Sequence, residues 1–337
     1  MLCGSRSRNN MYRWTISSVA LGRAFLGAAF GVVSTAALAF SSGEFQVPIS
    51  STRILFEKLP VWNGQGERPS DGKHVYRDPN TSELVILVPA HPGENRQDKV
   101  YRYHPPNQVA PIISTSVTRE GSTYTYEYRV RNGKEAHTSI GMWGVVGPGP
   151  ETDLQMQHPK WRSTRSEKTV AKDRFSALPD TGEFLIWFGD PADRVAPNDE
   201  PSAPFAIRAN ARPGIATVYA GAMSALKVET GLTGAVAAEL TPFMNWDAET
   251  VVVPVIGPRY RPDVPLPVIA KDYLAGMEKL VAVGWLSNQS RFYRALSDLL
   301  EQCSRGESVP SGMIHSVPVP GNRFEQDLAK AVLFAIQ

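Results

Sequence analysis

Hydrophobic and polar residues alternate most strictly in Ser122-Thr-Tyr-Thr-Tyr-Glu-Tyr-Arg-Val-Arg-Asn-Gly133. Tyr124, Tyr126, Tyr128 and Val130 fall on one side, and Thr125, Glu127, Arg129 and Arg131 on the other. That is the pattern of a strand with one face in a core. Asn132-Gly133 is a tight-hairpin dipeptide and predicts a return strand within 136–146. Upstream, Ile113, Thr115 and Val117 alternate with polar neighbours, and Glu120-Gly121 predicts the turn into the tyrosine strand. Leu84-Val-Ile-Leu-Val88 is an unbroken apolar run, the mark of a strand buried on both faces. Further strands are predicted around Ile54–Leu59, at Phe184–Phe188, Ile215–Ala220 and Val251–Ile256, with a short helix over 234–243. Strands separated by turn signals every ten residues or so predict a mainly β fold, an immunoglobulin-like β-sandwich spanning residues 44–257.

Beyond Gly257 the period changes. Pro258, Pro262, Pro265 and Pro267 predict a stiff linker over 258–270. Three helical faces follow: Tyr273, Leu274, Met277, Leu280 and Val281; then Phe292, Leu296, Leu299, Leu300 and Cys303; then Phe324, Leu328, Val332, Ala335 and Ile336. Ser287 or Asn288 is the expected cap of the second. The expected architecture is thus a β-sandwich followed by a C-terminal three-helix module. Leu280-Val-Ala-Val-Gly-Trp-Leu-Ser-Asn288, the Leu-rich helix after it and a closing helix make residues 271–337 similar to the FIMAH module that ends some secreted bacterial proteins. The Gly-, Ser- and Pro-containing stretch 304–322 departs from that compact pattern. The resemblance implies no catalytic residues.

The first 39 residues change the reading of charge. Arg6, Arg8, Arg13 and Arg23 precede or border an uncharged apolar run from Ala24 to Phe40, and Ala37-Leu-Ala39 fits the small-x-small rule for cleavage after Ala39. An export leader is expected, and with it a periplasmic or extracellular location; any membrane contact would come through this segment alone. Losing its four arginines turns the formal +2 into −2, which leaves no bulk signal for nucleic acid. Of the two cysteines, Cys3 leaves with the leader and Cys303 remains. The core of the exported chain must therefore hold without an internal disulfide.

Candidate chemistry is sparse. Leu178-Pro-Asp-Thr-Gly182 spells a sortase signal, but it lies far from the C-terminus and reads as a turn into the strand at Phe184. Ser224 and Lys227 have Ser-x-x-Lys spacing without the partner motifs. No Gly-x-Ser-x-Gly or His-Glu-x-x-His is present, and His74, His91, His104, His137, His158 and His315 are scattered, as expected of loop residues. Asp190, Asp193 and Asp199, with Glu200, are the candidate metal ligands. Asp180 with Glu183 is a candidate carboxylate pair for glycoside hydrolysis. Arg162, Arg165, Lys168, Lys172 and Arg174 form a basic run, Asn80-Thr-Ser82 and Asn288-Gln-Ser290 are glycosylation sequons, and Cys303 is an expected buried thiol. The candidate binding residues are Tyr124, Tyr126 and Tyr128, should that row face solvent. No cofactor is expected. These features predict an exported, non-catalytic binding or structural protein of the cell envelope or exterior, with a glycan or an envelope protein as partner. The alternative is an extracellular hydrolase acting on glycan or cell-wall polymer.

Overall fold

The computed structural model describes residues 55–336 apart from 91–96, 106, 150–151, 167–171, 179–181, 224–231, 233, 245–249, 310–311, 314–316 and 319–321. The strands are β1 (Val75–Arg77), β2 (Leu84–Val88), β3 (Lys99–Tyr103), β4 (Pro111–Glu120), β5 (Thr123–Asn132), β6 (Met142–Val146), β7 (Leu154–Gln157), β8 (Arg162–Ser166), β9 (Phe184–Phe188), β10 (Phe205–Ala209), β11 (Arg212–Gly221) and β12 (Val251–Tyr260). The helices are α1 (Gly234–Leu240), α2 (Leu266–Ala282), α3 (Arg291–Ser304) and α4 (Arg323–Ile336). Three antiparallel sheets result, with strand orders β1-β2-β3, β4-β5-β10-β7 and β12-β11-β6-β9-β8.

The small sheet explains the apolar run at 84–88. β2 is its middle strand and is buried at every position. Leu84, Ile86 and Val88 face Phe56, Val236, Leu240 and Phe243, while Val85 and Leu87 join Tyr76 and Trp62 on the other side. Residues 55–57 are helical rather than extended, and Phe56 is still buried.

In the larger sheets, β5 keeps the predicted alternation. Tyr124, Tyr126, Tyr128 and Val130 are buried, and Glu127 and Arg129 are exposed. Gly121, at φ +61°, makes the turn from β4. One continuous core joins this face to Trp143, Trp187 and Val218 of the five-stranded sheet and to Tyr273, Leu296 and Leu328 of the helices. Trp143 and Trp187 stack at 4.6 Å, and Phe205 meets Trp143 edge-on at 4.8 Å. Such pairs add about 1 kcal/mol beyond the area they bury.

Several expectations fail for physical reasons. Asn132 does not start a hairpin. Its carbonyl oxygen Oδ1 accepts from the Ala110 N–H at 2.9 Å, and its Nδ2 donates to the carbonyls of Thr138 and Val195. The side chain is fully buried, and the chain leaves β5 for β6 in another sheet instead of returning beside it. Pro258 lies within β12, and α2 has already begun at Leu266, so 258–270 is mostly strand and helix rather than linker. Pro254 and Pro258 sit in β12 at a sheet edge, where a strand tolerates a missing N–H. Helix α3 is capped by Ser290, whose hydroxyl accepts from the Tyr293 N–H, and not by Ser287 or Asn288.

A buried ionic cluster fastens α2 to β12 and to the segment 172–178. Arg259 is 4% exposed; its guanidinium lies 2.8 Å from Asp173 and 3.8 Å from Asp272. Asp272 Oδ1 accepts from the Ser176 hydroxyl and from the N–H groups of Ala177 and Leu178, and Oδ2 accepts from Tyr260. Thr217 donates to Asp173 at 2.8 Å. Burial pushes the Asp173 carboxyl above its ordinary value, against the pull of Arg259.

Candidate functional site

The tyrosine row is not a surface. Tyr124 and Tyr126 donate to the carbonyls of Phe334 and Ala211, and Tyr128 is fully enclosed, so these residues build the core and present nothing to a ligand. Asp190, Asp193 and Asp199 do not converge. Asp190 pairs with Arg162 at 2.9 Å and Asp193 with Lys160 at 3.0 Å, while Asp199 accepts the N–H of Ala196. Among the described residues, no group of three His, Cys, Asp or Glu is placed to hold a metal ion. The basic run is partly neutralised by the same pairs and by Arg165, which binds the buried Glu183 at 2.6 Å. Asp180, Ser224, Lys227 and Ala39 lie outside the described residues. Cys303 is buried, and burial raises its thiol.

The structure instead assembles a cleft that the sequence did not announce. It is lined by Phe56, Glu57, Ser82, Asn107, Gln108 and Glu135, with His137 and Phe243 among its other walls, and it opens to solvent with a cavity of about 30 Å³ between its walls. The residues come from the helical turn at 55–57, the β1–β2 turn, the segment before β4, the loop after β5 and the turn that follows α1.

Each piece is held in place. The β1–β2 turn closes through Asp78 N–H to the Glu83 carbonyl at 2.9 Å and Ser82 N–H to the Asp78 carbonyl at 3.0 Å. Arg102 ties Asp78 at 2.9 Å and Glu83 at 2.7 Å. The Asn80 N–H, with Arg102 behind it, holds the Asp78 carboxyl below its usual value. Burial alone would raise Glu83, but the Thr81 hydroxyl and Arg102 outweigh it and lower it. The turn therefore keeps its charges at neutral pH.

Within that clamp Ser82 has φ +56°, the left-handed region that glycine normally fills. Gln108 then links turn to loop. Its side-chain Nε2 donates to the Ser82 carbonyl at 2.5 Å, and its own carbonyl accepts from His137 N–H at 2.9 Å and Thr138 N–H at 3.2 Å. Asn132 holds the same loop through the Thr138 carbonyl. The result places Ser82 Oγ 3.4 Å from His137 Nε2. Two buried polar atoms in the wall, Asn107 Nδ2 and Gln108 Oε1, have no hydrogen-bond partner.

Ser82 and His137 are 55 residues apart. In the sequence Ser82 was only the end of a sequon, and His137 only a loop histidine. The signal that bears on them is Asn80-Thr-Ser82 before the apolar run, a turn without glycine at its left-handed position. No family model, no curated protein and no solved structure matches the chain.

Proposed function

We propose that the chain is an exported binding protein of the cell envelope or exterior, and that the cleft between Ser82 and His137 seats its ligand, a hydroxyl-rich molecule such as an envelope glycan. The observation that carries this is the pair of unpartnered buried amide atoms, Asn107 Nδ2 and Gln108 Oε1. A buried donor and acceptor left unpaired cost about 1–3 kcal/mol each, a cost that a ligand hydroxyl removes on binding. Glu57, Glu135, Ser82 and His137 add acceptors and donors over a floor of Phe56 and Phe243. Polar groups converging on an apolar floor are the usual make-up of a small-molecule site.

The same reading includes an immunoglobulin-like sandwich. Its support is the order of the strands: β4-β5-β10-β7 corresponds to A-B-E-D and β12-β11-β6 to G-F-C, with the β8–β9 hairpin extending the second sheet. The likeness of residues 271–337 to a FIMAH module stays within the proposal, supported by the three amphipathic helices α2, α3 and α4. Export rests on the leader pattern and predicts a secreted form beginning at Phe40. Among the described residues no helix is long and apolar enough to cross a membrane. The mature charge gives no motive for a nucleic-acid partner, and the cleft chemistry calls for no cofactor.

Calorimetric titration with envelope-derived oligosaccharides tests this reading. Binding is expected, and Asn107→Ala weakens it by roughly tenfold, the value of one buried hydrogen bond. Failure of every oligosaccharide to bind the folded protein, or binding indifferent to Asn107→Ala, removes the cleft as the ligand seat.

A further inference from the structure

We infer that the cleft also cleaves an acyl ester carried by its ligand, with Ser82 as nucleophile and His137 as general base. This rests on the cleft being the ligand seat, and it restores the hydrolase alternative with a serine in place of paired carboxylates.

The argument starts from strain. A non-glycine residue in the left-handed region costs on the order of 1 kcal/mol, and such residues concentrate where a side chain is needed in an exact place. Ser82 occupies a turn position where glycine would be easier, in a turn held by Arg102 through Asp78 and Glu83 and by Gln108 through the Ser82 carbonyl. What serine has and glycine lacks is the hydroxyl, and that hydroxyl faces an imidazole nitrogen at 3.4 Å. A serine–histidine contact of this length is normal for a nucleophile and base before substrate tightens them. One residue positions both partners, because Gln108 grips the Ser82 carbonyl with its side chain and the His137 N–H with its backbone.

The cleft also contains an electrophilic element. Asn107 Nδ2 is a buried donor without an acceptor in the same wall. A preorganised amide of this kind stabilises a developing oxyanion. Glu57 and Glu135 line the same cleft, and their negative charge favours formation of an imidazolium within it.

The steps balance with water alone. Ser82 Oγ attacks the ester carbonyl carbon, and its proton passes to His137 Nε2. The carbonyl oxygen becomes an oxyanion that accepts from Asn107 Nδ2. The bond to the alkoxy oxygen breaks, and that oxygen leaves as an alcohol with the proton from His137. Water then attacks the acyl-serine, His137 takes its proton, and collapse of the second intermediate returns a proton to Ser82 Oγ. Ester and water become acid and alcohol. No oxidant, reductant or metal enters. A short acyl group on a sugar hydroxyl is the substrate class, because the amides and carboxylates of the lining suit a hydroxyl-rich molecule and the cavity of about 30 Å³ holds no long chain.

The full exported chain is assayed with p-nitrophenyl acetate and with an O-acetylated xylo-oligosaccharide, and is labelled with a fluorophosphonate. Turnover is expected, with the label on Ser82. Ser82→Ala and His137→Ala each lose at least about 100-fold in kcat/KM while circular dichroism and melting stay those of a folded protein. Ser82→Gly, which relieves the strained turn, keeps the fold and loses turnover equally, so a failure of Ser82→Ala to fold leaves the inference testable. Loss in Asn107→Ala appears in kcat as well as in the KM rise that its weaker ligand binding brings. Turnover that survives in Ser82→Ala or Ser82→Gly, or a label on another residue, overturns the inference. Oligosaccharide binding without any ester turnover overturns it while leaving the binding reading intact; ester turnover without oligosaccharide binding supports the serine chemistry and overturns the glycan reading instead.

Discussion

The chain concentrates polar side chains in two places that use them in opposite ways. Around Arg259, two carboxylates, a serine, a threonine and a tyrosine are sealed from water, and each carboxylate oxygen meets a donor or a cation. Around Ser82 and His137 a similar inventory lies open, with one backbone angle under strain and two amide atoms left unpaired. The first arrangement serves the fold: it ties α2 to β12 and to the 172–178 segment, and its side chains are shut away from solvent. The second is clamped by Arg102, Gln108 and Asn132, which hold the turn and the loop that carry Ser82 and His137. Polar content alone does not mark a site; polar groups that border a cleft differ from those sealed in the core.

The largest effect expected from this contrast is at Arg259. Arg259→Ala strands Asp173 and Asp272 without a counterion and costs about 3–5 kcal/mol in urea unfolding. Replacing Asp173 and Arg259 together by Leu and Met costs less, because the one charge left buried, Asp272, keeps its four hydrogen-bond donors Ser176, Ala177, Leu178 and Tyr260. A double variant as unstable as Arg259→Ala breaks the claim that the cluster acts by mutual neutralisation.

A smaller effect is expected in the core. Tyr126→Phe deletes the hydroxyl that donates to the Ala211 carbonyl at 2.7 Å and lowers stability by about 1 kcal/mol, with ligand binding unchanged. Altered binding would return the tyrosine row to the functional account.

Asp327 of α4 sharpens the contrast through pH. Burial lifts its carboxyl from 3.8 to about 6, although Arg323 and the Thr115 N–H pull the other way. The folded value lies above the unfolded one, so the fold favours the protonated form. Its contribution is full below the unfolded value and is lost as pH rises through about 6. Asp327→Asn therefore melts above the wild type near pH 7.5 and level with it near pH 4. A gap of the same size at both pH values would contradict a titrating carboxylate at this position.

Much of the architecture was legible because it rests on periodicity. The buried faces of β5, β2 and the three C-terminal helices follow the spacing of Tyr126, Ile86, Tyr273, Leu296 and Leu328. Asn132-Gly133 misled because a hairpin dipeptide and a buried asparagine bridging three carbonyl or amide groups look identical until the partners Ala110, Thr138 and Val195 are known. The proline-rich stretch misled because an edge strand and a helix start both accept proline. The acidic loop, read as a candidate metal site, instead supplies counterions: Asp190 to Arg162 of the basic run and Asp193 to Lys160 just before it. The cleft was invisible for a different reason. Its members come from five separate segments, and nothing local joins Ser82 to His137; the joining residue is Gln108, whose type carries no catalytic signal.

The most direct test of the central claim is Ser82→Gly, followed at once by melting temperature and by turnover of p-nitrophenyl acetate. If the strained serine is kept for its hydroxyl, the variant gains roughly 0.5–1 kcal/mol by relieving the left-handed backbone and loses its turnover and its fluorophosphonate label. A variant that melts higher and hydrolyses the ester as before, or one that melts lower because the Ser82 side chain was holding the turn, contradicts the account.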